Sequence, residues 1–155
     1  MDLGAAFLTT RWAVRLPIPV FRAGFGFVFG GRLLLLEHRG RASGARRYVV
    51  LEAADRESRD TVVVASGFGP DAQWYRNLEA EPRCGVSIGL RTRVPARAEL
   101  LDAGESAALL DRYAARHPKA WQVLRDSIAS ATGERDPEIP MVRLHLERGR
   151  SVPTA

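Results

Sequence analysis

The chain has 155 residues, 46% of them hydrophobic, and a formal net charge of +5. This length and hydrophobic content predict one globular domain and exclude a disordered chain. The basic charge favours anionic ligands in general. A single cysteine, Cys84, excludes an internal disulfide and is interpreted as a core-filling residue rather than a nucleophile.

The first 31 residues are apolar, and we expect them to be helical in pieces. Pro17 and Pro19 separate an early piece from a second one that starts near Val20. Two arginines, two prolines and four glycines interrupt the apolar residues 16–36, which are therefore too broken to span a bilayer. The segment either packs on the domain or lies on a membrane surface. Early charged residues break any secretory leader, so we expect a cytoplasmic protein, with the inner face of the membrane as the alternative location.

Six segments further along are typical of strands, because they are rich in Leu, Val and Tyr or alternate in polarity. They span residues 32–39, 46–54, 61–66, 83–90, 92–101 and 140–147. Short connections make the first three an antiparallel meander. Pro95 cannot donate to a strand ladder, which places the fifth strand at an edge or at a bulge. The pattern predicts an α+β fold, a six-stranded antiparallel barrel with helices covering its open sides.

Three helices accompany these strands. A short one follows the third strand, with Asp71 as its N-cap and Pro82 as its stop. Asp102 and the glutamate three residues on form a capping-box start for a helix that runs to about His117. A last helix covers residues 118–128, because proline suits a first helical turn.

The sequence contains no arrangement typical of covalent or metal catalysis. Its three histidines, His38, His117 and His145, are far apart and have no carboxylate or cysteine at ligand spacing. We therefore predict no catalytic side chain and no metal, and a reactive group borrowed from a cofactor if the protein is an enzyme. Few aromatics interleave with the arginines, so nucleic acid is not an expected partner.

The stretch "EHRGRASGARR" between the first two strands concentrates positive charge in a turn. Arg41 and Arg47 can form charge-assisted bonds to phosphate or carboxylate oxygens, while Gly40 and Gly44 let the backbone approach closely. A solvated hairpin with no ligand is the alternative, and the turn alone does not decide between them.

Two further segments suit a flat ring. The third strand ends in small residues, Ala65, Ser66 and Gly67, which leave room for a ring against the backbone. On the short helix, Trp74 and Asn77 lie three residues apart and share a face. Trp74 also suits a core position, whereas a mid-helix Asn77 loses helix propensity unless its side chain has a partner.

In this order, the features resemble the deazaflavin (F420)-dependent nitroreductase family. The resemblance rests on Gly40-Arg41-Ala42-Ser43-Gly44 with a downstream Arg47, then Ala65-Ser66, then Trp74-Tyr75-Arg76-Asn77-Leu78 followed by Pro82, and covers roughly residues 32–146. It implies a split β-barrel of the FMN-binding type over residues 32–148. From the residues themselves we expect an N-terminal helical segment packed on this barrel over 1–31 and a flexible tail over 149–155.

The resemblance also implies a function: transfer of a hydride from reduced F420 to a quinone, an activated alkene or a nitro compound. The residues that it places at the phosphate and glutamate tail of F420 are Arg41, Ser43, Gly44 and Arg47, and those at the deazaflavin ring are Ala65, Ser66, Gly67, Trp74 and Asn77. It places His117 and Trp121 on the substrate side, where ordinary helix packing is the alternative. The partner would be a small-molecule hydride acceptor, and the protein a monomer or a homodimer.

Several positions depart from the family pattern. Ala42 and Gly67 stand where basic residues are common, Val49 replaces a polar residue, and Glu52 stands where the nitroreductases have an aromatic. Arg39 and Arg46 are candidates to replace the lost contacts to the tail. A second hypothesis is therefore a non-catalytic barrel that binds a lipid, FMN or another anionic cofactor.

Overall fold

The structure is a computed structural model, and it describes residues 17–22, 31–67, 69–133 and 138–147. Its strands are β1 (Leu33–Arg39), β2 (Arg46–Ser58), β3 (Thr61–Ala65), β4 (Arg83–Ile88), β5 (Arg91–Leu100) and β6 (Met141–Leu146). Its helices are α1 (Pro17–Arg22), α2 (Gln73–Ala80), α3 (Ala103–Arg116) and α4 (Pro118–Thr132). The strands close into a barrel in the order β1-β2-β3-β6-β5-β4, with antiparallel neighbours throughout. The expected α+β barrel is confirmed.

Alternate residues of each strand fill the barrel interior. Leu34 and Leu36 of β1 and Leu144 of β6 are fully buried there. In β5, Val94, Ala96 and Ala98 point inward, as the alternation predicts. Burial of these apolar side chains is the main source of the stability of the barrel.

Helix α2 packs into the same core. Trp74, Tyr75 and Leu78 belong to the barrel cluster, and the two aromatic rings meet edge to face with centroids 6.0 Å apart. The predicted Asp71 cap is wrong: Ala72 occupies the cap position, one residue later, and makes no side-chain cap. Packing of the buried face, rather than a cap, therefore holds this two-turn helix in place.

Helices α3 and α4 cover the outer face of β3 and β6. Leu109 of α3 packs with Val63 and Met141, and Leu124 of α4 packs with Ile128 and Ile139. The two helices therefore sit over the end of β3.

The start of α3 and the end of α4 show two kinds of helix boundary. The predicted cap of α3 is confirmed, since Asp102 Oδ1 accepts a hydrogen bond from the Glu105 N–H at 2.8 Å. Helix α4 runs to Thr132 rather than to Ile128. It ends there because Gly133 adopts a left-handed backbone with φ 79° and donates its N–H to Ala129 O at 2.8 Å.

Helix α1 lies on the barrel wall, where Ile18 packs against the outer face of β1 and β2 and the Arg22 guanidinium lies 4.8 Å from the Tyr48 ring centroid. It begins at Pro17 rather than near Val20, because the first helical N–H groups need no partner and prolines are tolerated there. The rest of the expected segment 1–31, except Gly31, and the expected tail 149–155 lie outside the described residues. No helix in the described part of the chain is long and apolar enough to cross a membrane.

Two strand predictions need correction. Residues 55–58, expected to be connection, continue β2 through a bulge, and Asp55 accepts ion pairs from Arg112 and Arg116 of α3. These ion pairs neutralise the Asp55 carboxylate, so a charged segment that is typical of a loop in sequence can form a strand. The edge position expected for Pro95 is also wrong, because β5 is paired on both sides; the register shift lies close by, opposite Val86–Ile88.

A substitution in the barrel core should lower the free energy of unfolding far more than one on the surface. Leu144→Ala removes a side chain with 0% exposure and should lower the free energy of unfolding by about 2–5 kcal/mol. Val123→Ala, at a position 47% exposed on α4, should change it by roughly 0.5 kcal/mol or less. Urea denaturation of both variants measures this, and equal losses would contradict the assigned core.

Candidate functional site

The turn between β1 and β2 is closed by its own backbone. Gly40 N donates to Ala45 O at 2.9 Å, and Gly44 N donates to Gly40 O at 2.7 Å. Gly44 has φ 70°, a left-handed conformation that costs glycine little. Ser43 Oγ accepts a hydrogen bond from Ala45 N at 3.2 Å, as serine commonly does in turns. The turn is thus a compact loop with its side chains exposed.

Gly40 allows Arg47 to lie across this turn. A Cβ at Gly40 would lie 3.0 Å from Arg47 Nε and 3.0 Å from Ser43 Oγ. Those distances are too short for ordinary carbon contacts, so any larger residue would push the arginine away. Glycine is favoured here by close approach rather than by backbone conformation.

The side chain of Asn77 in α2 is hydrogen-bonded to the turn. The Arg41 backbone N–H and its Nη1 both donate to Asn77 Oδ1, at 3.1 Å and 2.9 Å. Asn77 is 2% exposed. The expectation that its side chain has a partner is confirmed. The partner is the turn, so Asn77 presents no spare acceptor toward an open ring site.

His38, which faces inward near the end of β1, is the third residue of the hydrogen-bonded group that Arg41 and Asn77 form. Its Nδ1 lies 3.1 Å from Asn77 Nδ2. Because Oδ1 of Asn77 accepts from Arg41, Nδ2 must donate, and His38 Nδ1 must be the unprotonated ring nitrogen. Burial, and secondarily the charge of Arg47, lowers the pKa of His38 from its ordinary 6.5 to about 4. The imidazole is therefore neutral at pH 7, with its proton on Nε2.

His38 is absent from the candidate residues that sequence suggests. A signal existed, because the alternation of β1 puts position 38 on the same face as Leu34 and Leu36. That signal points to burial and not to a partner on a helix 39 residues away. Sequence spacing alone does not bring the two together.

The arginines of the turn are divided between two faces. Cross-strand pairing places His38 opposite Arg47 and Arg39 opposite Arg46, and successive pairs face opposite ways. Arg41, Ser43, Gly44 and Arg47 are all exposed. Arg39 and Arg46 instead belong to the outer face of the barrel.

The end of β3 has both buried and accessible residues. Ser66 is 1% exposed; its N–H donates to Pro140 O at 2.8 Å and its hydroxyl to Gly69 O at 2.5 Å. Trp74 is 9% exposed and belongs to the barrel core, as the alternative for it stated. Ala65 and Gly67 are only half-buried and face the helices α3 and α4. Direct ring contact by Ser66, Trp74 and Asn77 stays a prediction, because each is engaged inside the protein.

A narrow cleft separates this strand end from α3 and α4. Its cavity has about 30 Å³, the space of one water molecule, and most of its walls are apolar. Ala65, Gly67, Leu110, Leu124 and Met141 line it, together with Glu52 and Tyr113. The Tyr113 hydroxyl lies 3.4 Å and 3.5 Å from the two Glu52 carboxylate oxygens, long contacts that place polar groups at one side.

The two residues expected on the substrate side flank this cleft. Trp121 is half-buried and packs in the same apolar cluster as Ala65. His117 is exposed at the junction of α3 and α4, with its ring centroid 5.2 Å from that of Tyr113. The structure thus brings Ala65 and Trp121 together, while the role of both residues toward a substrate stays a prediction.

The described residues contain no group of three or more His, Cys, Asp or Glu side chains that could hold a metal ion. Burial raises the pKa of the Cys84 thiol to about 12, so the thiol stays protonated at neutral pH. A protonated thiol is a poor nucleophile, which supports the interpretation of Cys84 as a packing residue.

The low pKa of His38 predicts a pH dependence of stability. Between pH 6.5 and about 4 the unfolded chain binds a proton at His38 that the folded chain does not, so stability falls as pH falls through this window and levels off below it. The variant His38→Gln should lack this component. Chemical denaturation of wild type and variant at several pH values measures the difference, with the exposed His117→Gln as control. A difference that does not change with pH would contradict the buried neutral imidazole.

Comparison with known proteins supports the family that the sequence resembles and the barrel fold. A profile of the F420H(2)-dependent quinone reductase family matches residues 21–134. The chain is 40% identical over 93 residues to "Putative F420H(2)-dependent quinone reductase Rv3178" of Mycobacterium tuberculosis (strain ATCC 25618 / H37Rv), and the match covers 59% of this chain and 76% of that protein.

Solved structures at low identity show the same fold. "Structure of F420-H2 Dependent Reductase (FDR-A)" aligns with a TM-score of 0.52 at 21% identity, over 74% of this chain and 94% of that one. A structure described as a "domain-swapped dimer" aligns with a TM-score of 0.57 at 19% identity, over 86% of this chain and 97% of that one. With the family match over residues 21–134, these results confirm the split-barrel fold, and the chain belongs to the F420H2-dependent quinone reductase family, whose members are oxidoreductases that use F420.

Proposed function

We propose that this protein reduces a quinone with a hydride from reduced F420, and that the turn Gly40–Arg47 holds the phosphate of the cofactor. The family match and the name of the mycobacterial relative support the quinone as acceptor. The observation that carries the assignment of the turn is the pair of hydrogen bonds from Arg41 to the buried Asn77. They fix the turn before any ligand arrives.

The turn fits a phosphate in charge and in shape. Arg41 and Arg47 are exposed cations on the same loop, and Ser43 adds a hydroxyl beside them. Charge-assisted bonds from guanidinium groups to phosphate oxygens are among the stronger hydrogen bonds in proteins. A turn that is already ordered loses little entropy on binding, so more of this interaction appears as affinity.

The half-buried small residues Ala65 and Gly67 offer a flat surface on which we place the deazaflavin ring. Bound F420 supplies the hydride, and the chain's own task is to orient the ring and keep water away from it. Ser66 and Trp74 support this surface from inside the protein, because both are buried. Asn77 acts in the same way, as a positioning residue for the turn.

The acceptor would enter between β3 and the helix pair α3–α4. Its apolar walls suit an uncharged ring such as a quinone. A cavity of about 30 Å³ cannot contain the deazaflavin ring, a quinone or a lipid chain, so binding of the cofactor ring and of the acceptor both require α3 and α4 to move outward. His117 and Trp121 would then border the acceptor.

Two expectations about partners stay predictions. The choice between a monomer and a homodimer is one, and contact of residues 16–31 with a membrane surface is the other. Within that segment the described helix α1 packs Ile18 on the barrel.

Arg41→Ser should weaken F420 binding about tenfold or more, because it removes a charged donor while the backbone N–H remains. Titration of the protein with F420, followed by deazaflavin fluorescence, measures the dissociation constant. Arg59→Ser is the matched control, since it removes the same charge from an exposed position at the far end of β2. An equal loss of affinity in both variants would contradict the assigned turn.

Gly67→Val should lower kcat/KM for quinone reduction by about tenfold or more, because its side chain would occupy the proposed ring surface. A Cβ at this position meets Leu124 Cδ1 at 3.6 Å, an ordinary contact, and an unchanged circular dichroism spectrum of the variant would show that the two further methyl groups leave the fold intact. Oxidation of F420H2 by a water-soluble quinone measures the rate, with Val123→Ala as the control on α4. Unchanged kinetics in Gly67→Val would show that the ring lies elsewhere.

A further inference from the structure

Glu52 brings a negative charge to the cleft between β3 and the helices α3 and α4. Among the described residues that line this cleft, it is the only one with a charged side chain; the rest of the lining consists of apolar residues, a glycine and a tyrosine. Apolar surroundings screen charge poorly. An acceptor that enters the cleft therefore meets one carboxylate at short range.

Strand alternation places this carboxylate on the cleft side of β2. Its neighbours Leu51 and Ala53 pack in the barrel interior, so Glu52 between them faces outward, toward α3. Its backbone is part of the ladder, opposite Leu33 of β1. The charge therefore belongs to the barrel wall and stays in place when the helices move.

The contact between Glu52 and α3 is loose. The Tyr113 hydroxyl lies 3.4 Å and 3.5 Å from the two carboxylate oxygens, whereas hydrogen bonds from hydroxyl groups are usually shorter than 3.0 Å. The entry of an acceptor requires α3 and α4 to move outward, as argued from the size of the cleft. Such a movement takes the Tyr113 hydroxyl away from Glu52 at little cost, and it leaves the carboxylate facing the acceptor.

The arginines of α3 nearest to this part of β2 are directed to another carboxylate. Arg112 and Arg116 lie 3.3 Å and 3.1 Å from the oxygens of Asp55, and their side chains are 55% and 57% exposed. Neither of them lines the cleft. Water and salt screen their charge at the surface, so the charge that an acceptor contacts inside the cleft is that of Glu52.

We propose that Glu52 selects the acceptor by charge, so that the enzyme reduces neutral and cationic quinones and discriminates against quinones that carry an anionic group on the ring. The inference rests on the proposed function, which puts the acceptor in this cleft. Glu52 has no part in the hydride transfer and acts as a specificity-determining residue. The repulsion between a carboxylate and an anionic substituent a few ångströms away corresponds to about tenfold or more in affinity.

The test uses three naphthoquinones that share one ring and carry no charged group, a sulfonate or a quaternary ammonium group. Their kcat/KM values are measured with saturating F420H2. Wild type should reduce the sulfonated compound about tenfold less efficiently than the neutral one, chiefly through a higher KM, and the cationic compound at least as efficiently as the neutral one.

Glu52→Gln removes the charge and keeps both the size of the side chain and an acceptor for the Tyr113 hydroxyl. It should raise the ratio of kcat/KM for the sulfonated compound to that for the neutral one about tenfold. Because each ratio is compared between proteins, the different intrinsic reactivities of the quinones cancel.

Two control variants separate charge in the cleft from other effects. Glu52→Asp keeps the charge and should keep the wild-type ratio. Glu147→Gln removes the same charge from an exposed position beyond the end of β6, whereas Met141 at the start of this strand lines the cleft. It should keep the wild-type ratio as well.

Three results would overturn the proposal. The first is a wild-type KM for the sulfonated quinone no higher than that for the neutral one, a result that requires no variant to fold. The second is an unchanged ratio in folded Glu52→Gln. The third is an equal rise of the ratio in Glu147→Gln, which would show an effect of net charge. Failure of wild type to reduce any of the three quinones with F420H2 would instead refute the proposed function.

Discussion

The arrangement of the candidate site depends on one buried amide. Asn77 is 2% exposed, so its oxygen and nitrogen both need partners, and leaving either without one would be costly. Its oxygen accepts two hydrogen bonds from Arg41, and its nitrogen faces His38. Since these residues come from α2, the turn and β1, one side chain ties three parts of the chain together. Because His38 is neutral, its Nδ1 can accept the hydrogen bond from Asn77 Nδ2.

Strand alternation explains how one short hairpin can serve two purposes. His38 and Arg47 face one side, and Arg39 and Arg46 face the other. The first pair belongs to the turn that we assign to a phosphate. The second pair lines a groove on the outer face of β1, β4 and β5, together with Gly85. Basic residues that form one cluster in sequence are therefore two separate surfaces in the fold.

Local patterns predicted the barrel well, because alternation, turn residues and prolines act over a few positions. They failed where tertiary contacts decide the outcome. The charged end of β2 extends beyond its predicted limit because α3 supplies arginines to Asp55. Asn77 faces the turn because barrel packing fixes which side of α2 is buried. The groove on the outer face of β1, β4 and β5 is formed by Glu37, Gly85 and Arg93 among others. These residues lie on three strands, and sequence spacing does not reveal how the strands pair.

We interpret the turn held by Asn77 as a preformed anion site. Backbone amide NMR spectra recorded while F420 is added show whether the cofactor binds there. We predict that the largest shifts fall on residues 40–47, and that Arg59 and Asp60, in the turn at the other end of β2, do not move. Binding that shifts the amides of Arg59 and Asp60 and leaves those of Arg41 and Gly44 unchanged would show that the turn is not the anion site.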